Sequence, residues 1–330
     1  MKQPSAPEST SPWRAFGVLA IGVFLAVLDV FIVNIAFPDI QRSFPSASLS
    51  SLSWILSAYA IVFAAVLVPA GRLADIVGRK RIFLAGLLVF LVGSALAAAA
   101  PSVDLLIGAR LIQAVGGAAL IPTSLGLILP LFPASKRPTV IGLWAAIAGV
   151  GAAAGPPIGG LLVEASWRWI FLINLPLGLY ALVRSARIVP EIRDSERGRF
   201  PDLLGSLLLI GAIGTLTLGL VKGPDWSWDG RSLAAFATAA VLVVLVTLRS
   251  ARHPAPVVEL SLLRPPAFAL AALSTLFFFA AFAVLLLANV LFLTDVWHYS
   301  VTKAGFAFFP GPLTAAVAAG VSGRLGGRYG

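Results

Sequence analysis

Residues 15–37 read AFGVLAIGVFLAVLDVFIVNIAF, an apolar run with a single charged residue, Asp29. The hydrocarbon core of a bilayer is about 30 Å thick, and a helix needs about 20 apolar residues to cross it. This run is therefore predicted to be a membrane-spanning helix. It is too long for the apolar region of a signal peptide and lacks a cleavage site of the Ala-x-Ala type, so we expect it to be retained.

The same pattern recurs along the chain of 330 residues, of which 59% are hydrophobic and 12% are charged. A soluble domain could not bury that much apolar surface in a single core. The sequence predicts ten spans, separated by short connections rich in Pro, Gly, Ser or charge. Their approximate limits are 15–37, 52–71, 82–100, 105–131, 139–163, 167–183, 203–221, 232–248, 267–294 and 304–323. The predicted fold class is an all-α polytopic membrane protein.

The composition excludes several function classes. The chain has no cysteine and only two, widely separated histidines, so thiol chemistry, iron–sulfur clusters and a metal site are not expected. The net charge of +10 does not indicate nucleic acid, because the basic residues fall between apolar runs and form no patch interleaved with aromatics. The sequence shows no glycine-rich phosphate loop and no nucleophile–base set. We therefore predict no cofactor, no nucleic-acid partner and no enzymatic activity.

The distribution of basic residues predicts the orientation in the membrane. With the N-terminus inside, most Lys and Arg residues fall in cytoplasmic connections, and few fall on the other side. Most tryptophans lie at the predicted outer ends of the spans, where indole favours the interface. We expect a multi-pass protein of the inner (plasma) membrane with a cytoplasmic N-terminus.

Two ionisable residues lie deep inside predicted spans, Asp29 in the first and Arg110 in the fourth. Such a group costs at least about 2.5 kcal/mol at a helix centre, so it normally has a partner. Both lie at similar depths from the same face, about 13 Å and about 9 Å. We expect an acid–base pair across a watery crevice that responds to a proton or a cationic solute, with a purely structural pair as the alternative. Asn34 and Gln113 are expected to extend this polar network or to bind a neighbouring helix.

The fifth span contains GVGAAAGPPIGG at 149–160. Three of its glycines are spaced four residues apart, Gly151, Gly155 and Gly159, and Gly160 directly follows the last of them. Helical spacing places the first three on one face, which a partner helix can approach closely. Pro156 and Pro157 lack backbone donors and are expected to bend the helix. The pattern predicts either tight packing or a hinge.

The connection between the second and third spans reads GRLADIVGRKR at 71–81. Asp75 lies four residues after Gly71 and four before Arg79, and Gly78 separates the acid from the basic residues. Its carboxylate is expected to cap a helix or to pair with a basic group on a neighbouring element. A solvated, positively charged loop is the alternative, which explains the basic residues but not the spacing.

These segments together resemble the motifs of the major facilitator superfamily, and within it the fourteen-span drug:proton antiporters of the EmrB/QacA type. GRLADIVGRKR is similar to the signature loop after the second helix. LDVFIVNIAFPDI at 28–40 and RLIQAVGGAA at 110–119 resemble the motifs of the first and fourth helices. GAAAGPPIGG at 151–160 resembles the antiporter motif of the fifth helix, and WRWIFLINLPLG at 167–178 is similar to a sixth-helix sequence of this branch.

The resemblance implies a major facilitator-like helical bundle that works by alternating access, in which entering protons drive a small molecule out. It implies a coupling role for Asp29 and Arg110. It implies a role for Asp75 in a latch between bundles, and the residues of the signature loop are Gly71, Asp75, Gly78 and Arg79. The residues of the implied antiporter hinge are Gly151, Gly155, Pro156, Gly159 and Gly160. The expected partners are protons, a small-molecule substrate and the lipid bilayer, and a partner subunit stays unspecified.

The signature loop recurs as GRLGGRYG at 323–330. If the copies mark corresponding loops, then 1–190 form an N-terminal six-helix bundle, 191–255 a cytoplasmic linker with two inserted helices, and 256–330 the first two helices of a C-terminal bundle. The resemblance then implies a truncated form, about four helices short of the family. A ten-span protein with its own function is the alternative.

The predicted function is proton-coupled efflux of drugs or of amphipathic or cationic small molecules. One alternative is a carrier of another small metabolite. Another is a membrane remnant or assembly partner that does not transport. The sequence leaves the substrate open.

Overall fold

The computed structural model describes residues 11–193 and 202–308 and positions 310, 311, 313, 314, 317 and 318. Within these residues the regular structure is helical throughout. The α-helices are α1 Pro12–Ser43, α2 Leu49–Val77, α3 Arg79–Ala99, α4 Val103–Ile128, α5 Arg137–Ala165, α6 Trp169–Leu172, α7 Asn174–Ile188, α8 Leu203–Lys222, α9 Gly230–Arg252, α10 Pro266–Leu291 and α11 Val301–Phe308.

Eight segments of the described chain are long and apolar enough to cross a membrane, which confirms the predicted helical membrane fold. They correspond to the first eight predicted spans, with α6 and α7 together forming the sixth. Helix α10 occupies the predicted ninth span, and α11 covers the start of the tenth. The second copy of the signature loop, at 323–330, lies outside the described residues.

Short polar side chains fix several helix starts. Ser48 and Ser102 accept hydrogen bonds from backbone N–H groups in the first turns of α2 and α4. Asp202 and Asp229 do the same for α8 and α9. Because the first N–H groups of a helix have no partner within it, these caps define where each span begins.

Helix α1 packs against α4, α5 and α7. Two clusters of buried apolar side chains surround it, one including Leu19 and the other including Ile32. Asp29 lies between these two positions on α1, so apolar layers lie on both sides of it along the helix. Helices α8 and α9 pack together, with α8 against α2, and α11 packs against α5.

Candidate functional site

The centre of the candidate site is a direct ion pair between α1 and α4. Nη1 of Arg110 donates a hydrogen bond to Oδ2 of Asp29. The two side chains are 1% and 0% exposed. The sequence predicted a pair across a watery crevice, and this part of the prediction is corrected: the groups touch, and apolar packing excludes solvent from both.

Gln113, one turn after Arg110 on α4, binds both members of the pair. Its Oε1 accepts a hydrogen bond from Nη1 of Arg110 at 2.6 Å. Its Nε2 donates to Oδ1 of Asp29 at 2.7 Å. Residues three apart on a helix lie on the same face, so α4 presents a cation and an amide to the same carboxylate.

Two further polar residues complete this group, which we name the Asp29 cluster: Asp29, Arg110, Gln113, Ser94 and Asn174. Ser94 of α3 accepts from Nε2 of Gln113 at 2.8 Å. Asn174, the first residue of α7, donates from Nδ2 to Asp29 at 3.3 Å and to Ser94 at 3.2 Å. All five side chains are buried. The cluster therefore joins four of the first six spans.

Close contact between α3 and α4 brings Ser94 to Gln113. A Cβ atom on Gly93 would lie only 2.6 Å from the backbone nitrogen of Gln113, so glycine is required for this approach. No motif in the sequence singled out Ser94 or Asn174. Asn174 could have been found as the isolated polar residue of an apolar span, whereas a serine in a membrane helix carries little signal because it can bond its own backbone, as Ser94 also does with Phe90.

Aromatic rings and a carbonyl enclose the guanidinium of Arg110. Its Cζ lies 3.9 Å from the ring centroid of Tyr59 and 5.8 Å from that of Phe171, distances typical of cation–π contacts. Nε of Arg110 donates to the carbonyl of Ile55 at 3.4 Å. The hydroxyl of Tyr59 is buried and has no hydrogen-bond partner among the described residues.

Asn34, the other residue expected in the polar network, lies outside the Asp29 cluster. Its amide donates to the carbonyl of Val30 at 2.7 Å, one turn earlier on α1. An asparagine in a helix can satisfy its own donor locally, and sequence spacing does not distinguish this from a contact between helices.

The segment 71–81 is not an extended loop. Helix α2 continues to Val77 and α3 begins at Arg79, so the connection narrows to Gly78 alone, with a φ of 126° that favours glycine. Nε of Arg79 pairs with Oδ1 of Asp75 at 2.9 Å, and its Nη1 donates to the carbonyl of Gly126 at the end of α4.

Two other residues of this segment make contacts beyond the turn. Gly71 faces α4, where a Cβ atom would lie 3.3 Å from Cβ of Pro122. Arg72 reaches the stretch after α9, with Nη2 3.5 Å from Oε2 of Glu259. Among the described residues, the side-chain partners of Asp75 and Arg79 lie within the first six spans.

Glu191, which follows α7, covers the start of α3. Its Oε1 accepts from the backbone N–H of Lys80 at 3.0 Å, and the carbonyl of the neighbouring Ile192 accepts from the N–H of Arg79 at 3.0 Å. A carboxylate at a helix N-terminus satisfies free donors and complements the helix dipole. The end of the sixth span is thereby attached to the α2–α3 turn.

The glycine stripe of α5 faces α1. Cβ atoms on Gly151, Gly155 and Gly159 would lie within 3.0 Å of atoms of Phe24, Phe31 and Ile32 respectively. Backbone-distance packing of α5 on the helix that carries Asp29 therefore depends on this stripe. The helix is continuous from Arg137 to Ala165, through both prolines.

An adjacent side of the motif faces α11. Oγ1 of Thr302 donates to the carbonyl of Gly160 at 3.1 Å and lies 2.6 Å from Oε1 of Glu164. A Cβ on Gly305 would collide with the carbonyl of Pro156. Helix α5 thus lies between α1 and the segment that follows α10.

A separate cavity of about 480 Å³ lies between α8 and the helices α2, α3 and α4. Its lining is apolar and includes Pro69, Leu73, Ala119 and Leu207. It contains no member of the Asp29 cluster. The polar Asp29 cluster and this apolar cavity therefore lie at different places in the bundle.

A bundle of apolar spans around a buried acid–base cluster defines a polytopic membrane protein with an ionisable centre. The chain belongs to the Major Facilitator Superfamily, whose family model matches residues 19–330. A solved structure with a similar fold is the human organic anion transporter MFSD10. The likeness covers 96% of this chain and 73% of that chain, with a TM-score of 0.63 and 15% identity.

Two curated relatives are similar over nearly the whole chain. The multidrug resistance protein Stp of Mycobacterium tuberculosis is 38% identical over 314 residues, which is 94% of this chain and 58% of the relative. The tetracenomycin C resistance and export protein of Streptomyces glaucescens is 36% identical over 331 residues, which is 99% of this chain and 61% of the relative. The chain therefore spans about three fifths of the length of these relatives.

Proposed function

We propose that the protein is a proton-coupled efflux transporter that exports drugs or amphipathic or cationic small molecules by antiport, in the fourteen-span drug:proton antiporter branch. The observation that carries the proposal is the Asp29–Arg110 pair, fully buried and bound at a junction of helices. The names of the relatives, a multidrug resistance protein and an antibiotic export protein, support the substrate class.

Asp29 is the proton-accepting group in this proposal. When the carboxylate is ionised, it balances the charge of Arg110 and accepts hydrogen bonds from α4 and α7. When a proton neutralises it, Arg110 becomes a buried cation without a counter-charge, an arrangement that is strongly unfavourable away from water. Protonation therefore favours a conformation in which Arg110 reaches water or a new partner, and a conformational change follows from proton binding.

The other motifs have mechanical roles in the proposal. The Gly151–Gly160 stretch of α5 gives α1 a smooth surface on one side and contacts α11 on the other, as an antiporter hinge requires. Asp75 and Arg79, with Gly71 and Gly78, hold the cytoplasmic ends of α2, α3 and α4 together as part of a latch. We place the protein in the inner membrane with its N-terminus in the cytoplasm, and residues 1–190, 191–255 and 256–330 in the three regions predicted above.

Transport by the full chain tests the proposal. Everted membrane vesicles with an imposed pH gradient should take up a cationic dye such as ethidium when they contain the wild-type chain. Asp29→Asn should abolish the gradient-dependent uptake, because the amide binds no proton in this pH range. Asp104→Asn, a change of an exposed carboxylate in the first turn of α4, is the matched control and should retain uptake.

Two outcomes contradict the proposal. Full gradient-dependent uptake in Asp29→Asn would remove Asp29 from the coupling. No uptake by the wild-type chain, shown to be in the membrane and folded, would favour the alternative of a membrane protein that does not transport these compounds.

A further inference from the structure

The inference concerns Asn174, which no sequence motif had assigned to the site. Both hydrogens of its side-chain amide nitrogen point at acceptors, Oδ1 of Asp29 at 3.3 Å and Oγ of Ser94 at 3.2 Å. Its own Oδ1 is buried and has no hydrogen-bond partner among the described residues. A buried carbonyl oxygen without a donor is uncommon, so we expect this atom to accept a hydrogen bond in another state of the protein.

We infer that Asn174 is a positioning residue that binds Asp29 in both protonation states and passes the change to α7. In the ionised state the amide N–H groups donate to the carboxylate, as observed. In the protonated state Oδ1 of Asp29 carries a hydrogen and becomes a donor. Rotation of the Asn174 amide by a half-turn then presents its free Oδ1 as the acceptor of that hydrogen. The inference rests on the proposed proton binding by Asp29.

The surroundings of Asp29 favour this amide over the other amide of the Asp29 cluster. Among the described residues, the charged or titratable groups that face Asp29 are Arg110 from α4 and Tyr59 from α2, while α3 and α7 contribute the neutral Ser94 and Asn174. Arg110 has donors only and cannot accept a proton from a neutral acid. Gln113 already uses its oxygen to accept from Arg110. Of the two amides in the Asp29 cluster, Asn174 has the oxygen that is free.

The position of Asn174 in the chain allows a change in its hydrogen bonds to act on α7. It is the first residue of α7, directly after the interruption at Ile173 that separates α6 from α7. An interrupted helix has fewer backbone hydrogen bonds to hold its two parts in line. A new hydrogen-bond arrangement at Asn174 therefore acts directly beside this one-residue interruption of the span. At the other end of α7, Glu191 contacts the α2–α3 turn.

Infrared difference spectroscopy of the purified full chain tests the inference independently of transport. The carboxylic acid band that Asp29→Asn removes reports the protonation of Asp29. Asn174→Leu keeps the branching of the side chain and removes its hydrogen bonds. Because the hydrogen bond to the ionised carboxylate is charge-assisted and stronger than the one made to the neutral acid, the half-point of this band should shift to higher pH by about one unit, a tenfold change in proton affinity. The band should also move in frequency, because the neutral acid has lost its acceptor.

Two further variants make the result decisive. Ser94→Ala is a small change that should shift the half-point in the same direction by a smaller amount, and it keeps the test open if Asn174→Leu does not fold. Gln41→Ala, an exposed amide on α1, is the control and should leave the band unchanged.

The inference is overturned if Asn174→Leu and Ser94→Ala both show the wild-type half-point and band frequency. It is also overturned if no band assigned to Asp29 develops in the wild-type protein as the pH is lowered. Absence of dye uptake together with a normally titrating, Asn174-dependent band would instead overturn the proposed function and leave the role of Asn174 in place.

Discussion

Nε2 of Gln113 lies 2.7 Å from Oδ1 of Asp29, and this contact joins α4 to the acid of α1 a second time. The first junction is the ion pair with Arg110 on the other carboxylate oxygen. Both oxygens of this carboxylate therefore accept a hydrogen bond from α4 in this conformation. Its removal affects the packing of two spans as well as their charge.

A double-mutant cycle on the ion pair should show strong coupling. Arg110→Leu leaves Asp29 as a buried charge without its counter-ion, and loss of one partner of a buried pair typically costs about 3–5 kcal/mol. The double variant Asp29→Leu/Arg110→Leu removes both charges and should be more stable than Arg110→Leu alone. Thermal unfolding of the detergent-purified chain measures this as Tm. Losses of Tm that add up in the double variant would show that the two charges act independently.

Gly155→Ala should weaken the contact between α5 and α1. The added Cβ would lie 2.7 Å from Cβ of Phe31 and 3.2 Å from the backbone nitrogen of Ile32, so the helices must separate. Overpacking of this kind typically costs about 1–3 kcal/mol. Gly108→Ala is the control, because a Cβ there meets no atom within 4 Å. We expect a lower Tm for Gly155→Ala and an unchanged or higher Tm for Gly108→Ala, and the reverse order would contradict the packing argument.

The stability contributed by Asp202 should depend on pH with a defined sign. Burial opposes ionisation of this carboxyl most strongly, but hydrogen bonds from the backbone of Gly205 and from Arg249 outweigh it and lower the pKa of Asp202 below its usual range. A carboxyl with a lowered pKa stabilises the folded state above the pKa of the unfolded chain, and the contribution disappears as the pH falls through the folded pKa.

Asp202→Asn should therefore have a lower Tm than the wild type at neutral pH. The difference should persist down to the ordinary range of aspartate, about pH 4, and shrink only below it. Tm measured for both chains across this range gives the answer. A difference that vanishes well above pH 4 would show that the contacts with Gly205 and Arg249 do not stabilise the folded chain.

The absence of cysteine in the sequence permits a direct test of orientation. Lys136→Cys and Arg231→Cys introduce single thiols at exposed positions, one before α5 and the other in the first turn of α9. In intact cells a membrane-impermeant maleimide should label Arg231→Cys and should label Lys136→Cys only after permeabilisation. The opposite pattern would place the N-terminus outside.

Much of the fold was readable from the sequence. Apolar runs of sufficient length predicted the eight spans, because only helices satisfy the backbone inside a bilayer. Asp29 and Arg110 were identifiable because ionisable groups in apolar runs are costly. The ends of helices are less predictable: the sequence predicts a connecting loop at 71–81, whereas backbone hydrogen bonds continue through almost the whole segment.

The sequence by itself determined which segments cross the membrane, which two charges lie within them and which glycines share a face, since hydropathy and helical spacing are local properties. Only the tertiary structure decided that Asn174 and Ser94 join Asp29 while Asn34 does not, and that the ion pair is closed to solvent. Those outcomes depend on which helices are neighbours and how closely they approach, and hydrogen bonds made over a few ångströms between distant parts of the chain leave no periodic pattern in it.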